Sequence, residues 1–151
     1  MTDYDSTQDT NDHIDAVRRC IQAVCNALTV RAVYHDMSKL EEPEKSVFDR
    51  MTPILRTLTY GSDEYKAALV EMGEGLKHHY AHNSHHPEHH AAGIAGMSLL
   101  DLIEMLCDWK AATERVKEGS MAQSLPINIA RFGIDPQLAA VIENTVRELE
   151  W

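Results

Sequence analysis

The chain reads as an all-α protein. Apolar residues recur at three- and four-residue steps along most of its 151 residues. Capping and turn residues punctuate those stretches, and no segment alternates convincingly between apolar and polar. The length fits one domain that closes a core without staples. Apolar content of 44% and charged content of 25% are ordinary for a soluble globular protein.

The elements follow in order. Residues 1–11 are polar, carry Asp3, Asp5 and Asp9, and suggest a loose arm. From His13 the positions Ile14, Val17, Ile21, Val24 and Leu28 trace one amphipathic helix. Thr29 to Lys39 reads as a second, with Val30, Val33 and Tyr34. Glu42-Pro43-Glu44 interrupts, and Pro43 suits a first helical position. A short helix from Pro53 or Ile54 to Thr57 precedes the Gly61-Ser62-Asp63 turn and cap. The next helix runs through Tyr65, Leu69 and Met72 toward His79. Asn83 to Pro87 reads as loop. From Met97, with Ser98 as N-cap, a strong helix extends to about Val116 and stops near Gly119. The tail turns at Gly133-Ile-Asp135-Pro136 into a last helix with Leu138, Val141, Ile142 and Val146.

Bulk properties narrow the function. The formal charge of −10 and scattered basic residues argue against a sequence-reading nucleic-acid binder. A small anionic substrate stays open, because a bound metal inverts the local field. Apolar runs fall far short of a membrane span, and Met1-Thr-Asp-Tyr-Asp-Ser resembles neither a secretory signal nor a transit peptide. The expectation is a soluble, cytoplasmic protein that does not enter membranes. Cys20, Cys25 and Cys107 lack paired spacing and fall in apolar helical stretches, which suggests reduced, buried thiols.

Histidine usage is where chemistry shows. Nine histidines occur, seven of them between His78 and His90. Imidazole is the commonest neutral metal ligand, and carboxylates beside it suit hard or borderline divalent ions. His13 lies on the apolar arc of its helix, as either a core histidine or a ligand. His35-Asp36 places two donor types side by side where a helix ends, with Lys39 near enough to neutralise a phosphate. His78, His79, His82, His85 and His86 offer several ligand pairs, against the plainer reading of a solvated loop. Asp101, Glu104 and Asp108 share one helical face about 60° wide. That face is either a narrow solvent stripe or a set of buried carboxylates facing a cation.

The ordered set resembles the HD superfamily of metal-dependent phosphohydrolases, whose H…HD…D signature holds a divalent metal. His35-Asp36-Met-Ser-Lys39 looks like its HD-x-[GS]-K segment. His78-His79, followed 29 residues later by Asp108, looks like the paired histidines and distal Asp of the HD-GYP branch. More closely, residues 13–147 are similar to an uncharacterised group of small HD-like proteins of phages and bacteria. The features are His35-Asp-Met-Ser-Lys-Leu, Tyr60-Gly-Ser-Asp-Glu-Tyr65, the His78–His89 tract and Asp101-Leu-Ile-Glu-Met-Leu-Cys-Asp108-Trp. The chain departs from the superfamily in the short 22-residue spacing from His13 to His35 and in lacking Gly-Tyr-Pro after the paired histidines.

The resemblance implies a single-domain HD-like helical bundle over 13–151, after an acidic arm at 1–12, in the cytoplasm (a host's, if phage-encoded). It implies a hydrolase of a nucleotide or another small phosphate ester, holding one or two ions of Zn, Mn, Fe, Co or Ni. His13, His35, Asp36 and Asp108 would hold the principal ion, with His78 and His79 completing it or holding a second. Lys39 would steady phosphate charge, and His85 or His86 would protonate the leaving oxygen. The alternatives are a metal-containing binding or inhibitory module of phage type and an HD-type di-iron oxygenase.

Overall fold

The computed structural model describes residues 4–115 and 119–151, as two compact units, one ending at Tyr34 and the other spanning His35–Trp151. Among the described residues there are six α-helices and three short 3-10 turns, and no strand, as the periodicity predicts.

The first unit is one helix, α1, Thr7–Tyr34. It opens within the expected acidic arm, because the Asp5 carboxylate accepts from the backbone N–H and hydroxyl of Thr7, at 3.0 and 2.6 Å. The break expected at Thr29 is absent. Its hydroxyl donates to the Cys25 carbonyl one turn back, at 2.9 Å, and the helix continues.

The second unit starts at a sharp corner. Asp36 adopts a left-handed conformation, φ 56°, uncommon for any residue other than glycine, although aspartate tolerates it better than most. A 3-10 turn, Met37–Leu40, follows, and then α2, Glu44–Leu55. Pro43 is the N-cap of α2 rather than its first residue, and α2 runs through Pro53 as one helix. The Pro53 ring takes away the bond an N–H there would make to the Asp49 carbonyl, and the helix ends two residues later.

Helix α3, Asp63–His82, is capped by Ser62, whose hydroxyl accepts from the Tyr65 N–H at 3.1 Å. It is kinked at Gly73, where φ is 52°, a conformation that favours glycine. Two residues on, Gly75 meets α2 so closely that a Cβ there would lie 2.7 Å from Val47 Cγ2. Met51, Ala68 and Met72 form the apolar seam between the two helices. This approach brings the start of α2 beside the histidines at the end of α3.

Beyond α3 come 3-10 turns at Pro87–His89 and Gly93–Gly96, then α4, Leu99–Glu114. Ser98 and Asp101 form a reciprocal capping box at its start. The expected end at Val116 falls outside the described residues. Helix α5, Met121–Phe132, ends at Gly133, and α6, Pro136–Glu148, is capped by the Asp135 carboxylate. Met105, Leu106, Trp109, Met121, Leu125, Ile134, Ala139 and Ile142 form the larger core, from α4, α5 and α6 with the short link between the last two. All three cysteines are free but exposed, which corrects the expectation of buried thiols: Cys20 and Cys25 lie on α1, which has no buried residue, and Cys107 lies on an exposed face of α4. No described helix is long and apolar enough to cross a membrane.

Candidate metal centre

Two overlapping sets of donors converge in the second unit: Asp36, His79, His85 and His86, and His35, His85 and Asp108. Within each set the ligand atoms lie within 4.8 Å of one another. That is the span a single ion bridges with bonds of about 2.0–2.3 Å.

Two glutamates, Glu44 buried and Glu104 partly exposed, aim the imidazoles. Glu44 has no exposed surface, and its two oxygens accept from His78 Nδ1 at 2.7 Å and His79 Nδ1 at 2.8 Å. Ser38 adds a hydroxyl bond to the same carboxylate at 3.0 Å. The Asn83 amide also lies 3.0 Å from His79 Nδ1, but its two hydrogens are engaged by Ser38 Oγ and the His79 carbonyl, both at 2.8 Å. Glu104 Oε1 faces His35 Nδ1 at 2.9 Å and His85 Nδ1 at 3.2 Å. With their protons held on Nδ1, His79 and His85 present Nε2 lone pairs inward, the arrangement outer-shell carboxylates give metal-binding histidines, and His35 would do so once its second proton is lost.

Those Nε2 atoms meet around Asp36. His79 and His85 lie 3.4 and 3.5 Å from Asp36 Oδ1, and His35 lies 3.5 Å from Asp36 Oδ2 and 3.6 Å from Asp108 Oδ1. His79 Nε2 and His86 Nε2 are 2.8 Å apart. Among the described residues, the buried Asp36 Oδ1 and His85 Nε2 have no hydrogen-bond partner. Leaving such atoms unsatisfied costs about 1–3 kcal/mol each, so their pairing at the centre of six donors fits a cation between them.

The electrostatics agree. Burial pushes His79 and His85 below the usual imidazole range. Burial beside those two rings takes His86 down to about 3. All three therefore stand neutral, the form that ligates. The Asp108 carboxylate raises His35 to about 9, against partial burial and with help from Glu104 and Asp36. Burial alone would raise Asp36, but Lys39, its ammonium 2.6 Å from Oδ2, holds it below the carboxylate range.

The expected residues are distributed as follows. His35, Asp36, His79 and Asp108 come together. His85 and His86, expected as proton donors from a loop, stand among the donors themselves, because the segment after α3 folds back on the helix. His89 Nδ1 on the Tyr80 carbonyl, His90 Nε2 on the Ser84 carbonyl and Ser84 Oγ on Asp101 pin that segment. His78 belongs to neither set: its ring is tied to Glu44 and stacks on His82, centroids 3.9 Å apart. His13 lies on α1, in the first unit, and neither set includes it. Lys39 pairs with Asp36 and lies over the Phe48 ring. Of the acidic face on α4, Asp101 serves the cap, Glu104 aims two histidines and Asp108 joins a donor set. Glu44 was not singled out by the sequence, since nothing local distinguishes a buried glutamate in a first helical turn.

An all-α protein with a buried His/Asp cluster that could hold a metal ion is the class these features define. The model of DUF5662, a family of unknown function, matches residues 2–148, and the chain belongs to that family. No curated protein and no solved structure matches it.

Proposed function

We propose that the protein is a metal-dependent phosphohydrolase acting on a nucleotide or another small phosphate ester. The observation that carries this reading is the pair Asp36 Oδ1 and His85 Nε2, without a hydrogen-bond partner among the described residues and enclosed by three further imidazoles and one further carboxylate. His35, Asp36 and Asp108 correspond to the HD and distal D of the superfamily the sequence resembles. Asp36, His79, His85 and His86 would hold one ion, and His35 and Asp108, with the second Asp36 oxygen, another. A ring nitrogen serves a single ion, so His85 belongs to the first. A divalent Zn, Mn, Fe, Co or Ni ion supplies a Lewis acid for the phosphoryl oxygen and acidifies water.

The chain's own groups do the rest. Glu44 and Glu104 keep the imidazole protons away from the centre. The His79 and His85 side chains are 2% exposed, whereas His35, Asp108 and Lys39 are exposed by 28, 26 and 29%. The ester would therefore arrive on the His35 side, where Lys39 lends positive charge. A second reading, an HD-type di-iron oxygenase, is favoured only by the overlap of the two donor sets.

Elemental analysis of natively purified protein, followed by a phosphate-ester panel with each metal restored, tests the proposal. Bound transition metal and metal-dependent phosphate release are expected, with both lost in Asp36→Ala while helicity is kept. Undiminished turnover by metal-stripped Asp36→Ala would overturn it. Iron with oxygen consumption, and no phosphate release, would select the oxygenase.

A further inference from the structure

We propose that Arg131, set among Tyr60, Tyr65 and Tyr80, is the subsite that receives the phosphate group of the substrate beside the candidate metal centre. This rests on the phosphohydrolase reading and names where the substrate's charge is held.

The guanidinium is fixed from several directions. Arg131 Nη2 donates to Glu88 Oε1 at 2.9 Å, Nη1 donates to the Tyr60 hydroxyl at 3.4 Å, and the cation lies over the Phe132 ring, 4.6 Å from its centroid. Phe132 in turn stacks on Trp109 of the main core. The Tyr60 hydroxyl donates to Asn128 Oδ1 at 2.7 Å, and Asn128, one turn before Arg131 on α5, is only 2% exposed. These groups come from the link between α2 and α3, the Pro87–His89 turn and α5, three segments distant in sequence.

The cluster adjoins the donors through Tyr80. The Tyr80 ring lies 5.0 Å from that of His86 and also interacts with Arg131. Tyr65 packs edge-on against Tyr60, centroids 5.1 Å apart, and feels both Arg131 and Asp108. The Tyr60-Gly-Ser-Asp-Glu-Tyr65 segment thus has a place next to the centre.

Packing alone does not call for these groups. A buried amide and a half-covered guanidinium are costly wherever apolar side chains would fill the space. What they achieve is orientation. A guanidinium carries five N–H donors in a planar fork that matches phosphate oxygens. Glu88, Tyr60 and Tyr80 engage part of that fork and leave the remainder to an anion. The Arg131 side chain is 35% exposed, so an anion can reach it. Lys39 is paired with Asp36 as Arg131 is with Glu88, but its ammonium is a point charge without the planar fork. In a chain of formal charge −10, a fixed cation beside the metal donors is where a phosphate dianion is best held.

The test is calorimetric titration of metal-loaded protein with inorganic phosphate, with metal content measured on the same samples. Arg131→Gln is expected to weaken phosphate binding at least about tenfold with metal content unchanged. It is also expected to raise KM for a phosphate ester more than it lowers kcat. Tyr60→Phe, which removes one hydroxyl, should weaken phosphate binding by a smaller factor and decides the matter if Arg131→Gln does not fold. Wild-type phosphate affinity in folded Arg131→Gln, or in Tyr60→Phe should that variant alone fold, would overturn the subsite and leave the metal centre standing. Absence of metal uptake by the wild type would overturn the phosphohydrolase reading instead, while the effect of Arg131→Gln on phosphate binding still reports on the subsite.

Discussion

Glu44→Gln separates an aiming role from a ligand role. The side chains are nearly isosteric, so packing is conserved, but a carboxylate offers two acceptors and an amide only one. Three donors converge on Glu44: His78 Nδ1, His79 Nδ1 and Ser38 Oγ. Whichever way the amide turns, its NH2 confronts a donor. If it faces His79, the ring must move its proton to Nε2, the atom that lies 3.4 Å from Asp36 Oδ1, and so lose its inward lone pair. Loss of such an outer carboxylate lowers metal affinity about 10- to 100-fold, or about 1.4–2.8 kcal/mol. In a residue with no exposed surface, the mismatched donor costs about 1–3 kcal/mol of apo stability as well. Competition against a chelator of known affinity measures the first effect and thermal unfolding of the apo protein the second. An affinity within twofold of wild type in a variant whose His79 proton has moved to Nε2, read by nitrogen NMR, would refute the reasoning that Glu44 readies His79 to ligate.

Metal uptake is expected to release about one proton near pH 7.5, because His35, raised to about 9, must lose its proton to ligate. The apparent affinity should therefore climb as pH rises toward 9 and level off above it, and calorimetry in buffers of different ionisation enthalpy counts the proton. Gly75→Ala should destabilise by about 1–3 kcal/mol through its clash with Val47, and adding Val47→Ala should recover much of the loss in thermal melts. Ser98→Ala should remove one half of the α4 capping box and cost about 1 kcal/mol, a drop of about 2–4 °C in Tm.

Much of the fold was legible because caps and apolar steps are local signals. Ser62, Ser98 and Asp135 each precede their helices and cap them as their residue types predict. Pro126 falls inside α5 and Pro53 inside α2, so those helices were obscured by a residue that usually marks a boundary. At the site, His35-Asp36 and Asp108 could be singled out by residue type and order. The placing of His85 and His86 could not, because a non-periodic segment folding back on α3 leaves no spacing signature. Glu44 depends on the close passage of Gly75 against Val47, a tertiary fact without a local trace. The acidic face of α4 was visible, but the separate tasks of Asp101, Glu104 and Asp108 depend on which chain segment lies opposite each.

Glu104 grips His35 from the corner after α1 and His85 from the segment after α3, so one carboxylate fastens two distant stretches of backbone. Donors tied together that way would stand ready for an ion rather than be gathered by one. Different divalent ions could then be exchanged in a standing cradle, and the choice among them would fall to supply and donor chemistry rather than to refolding.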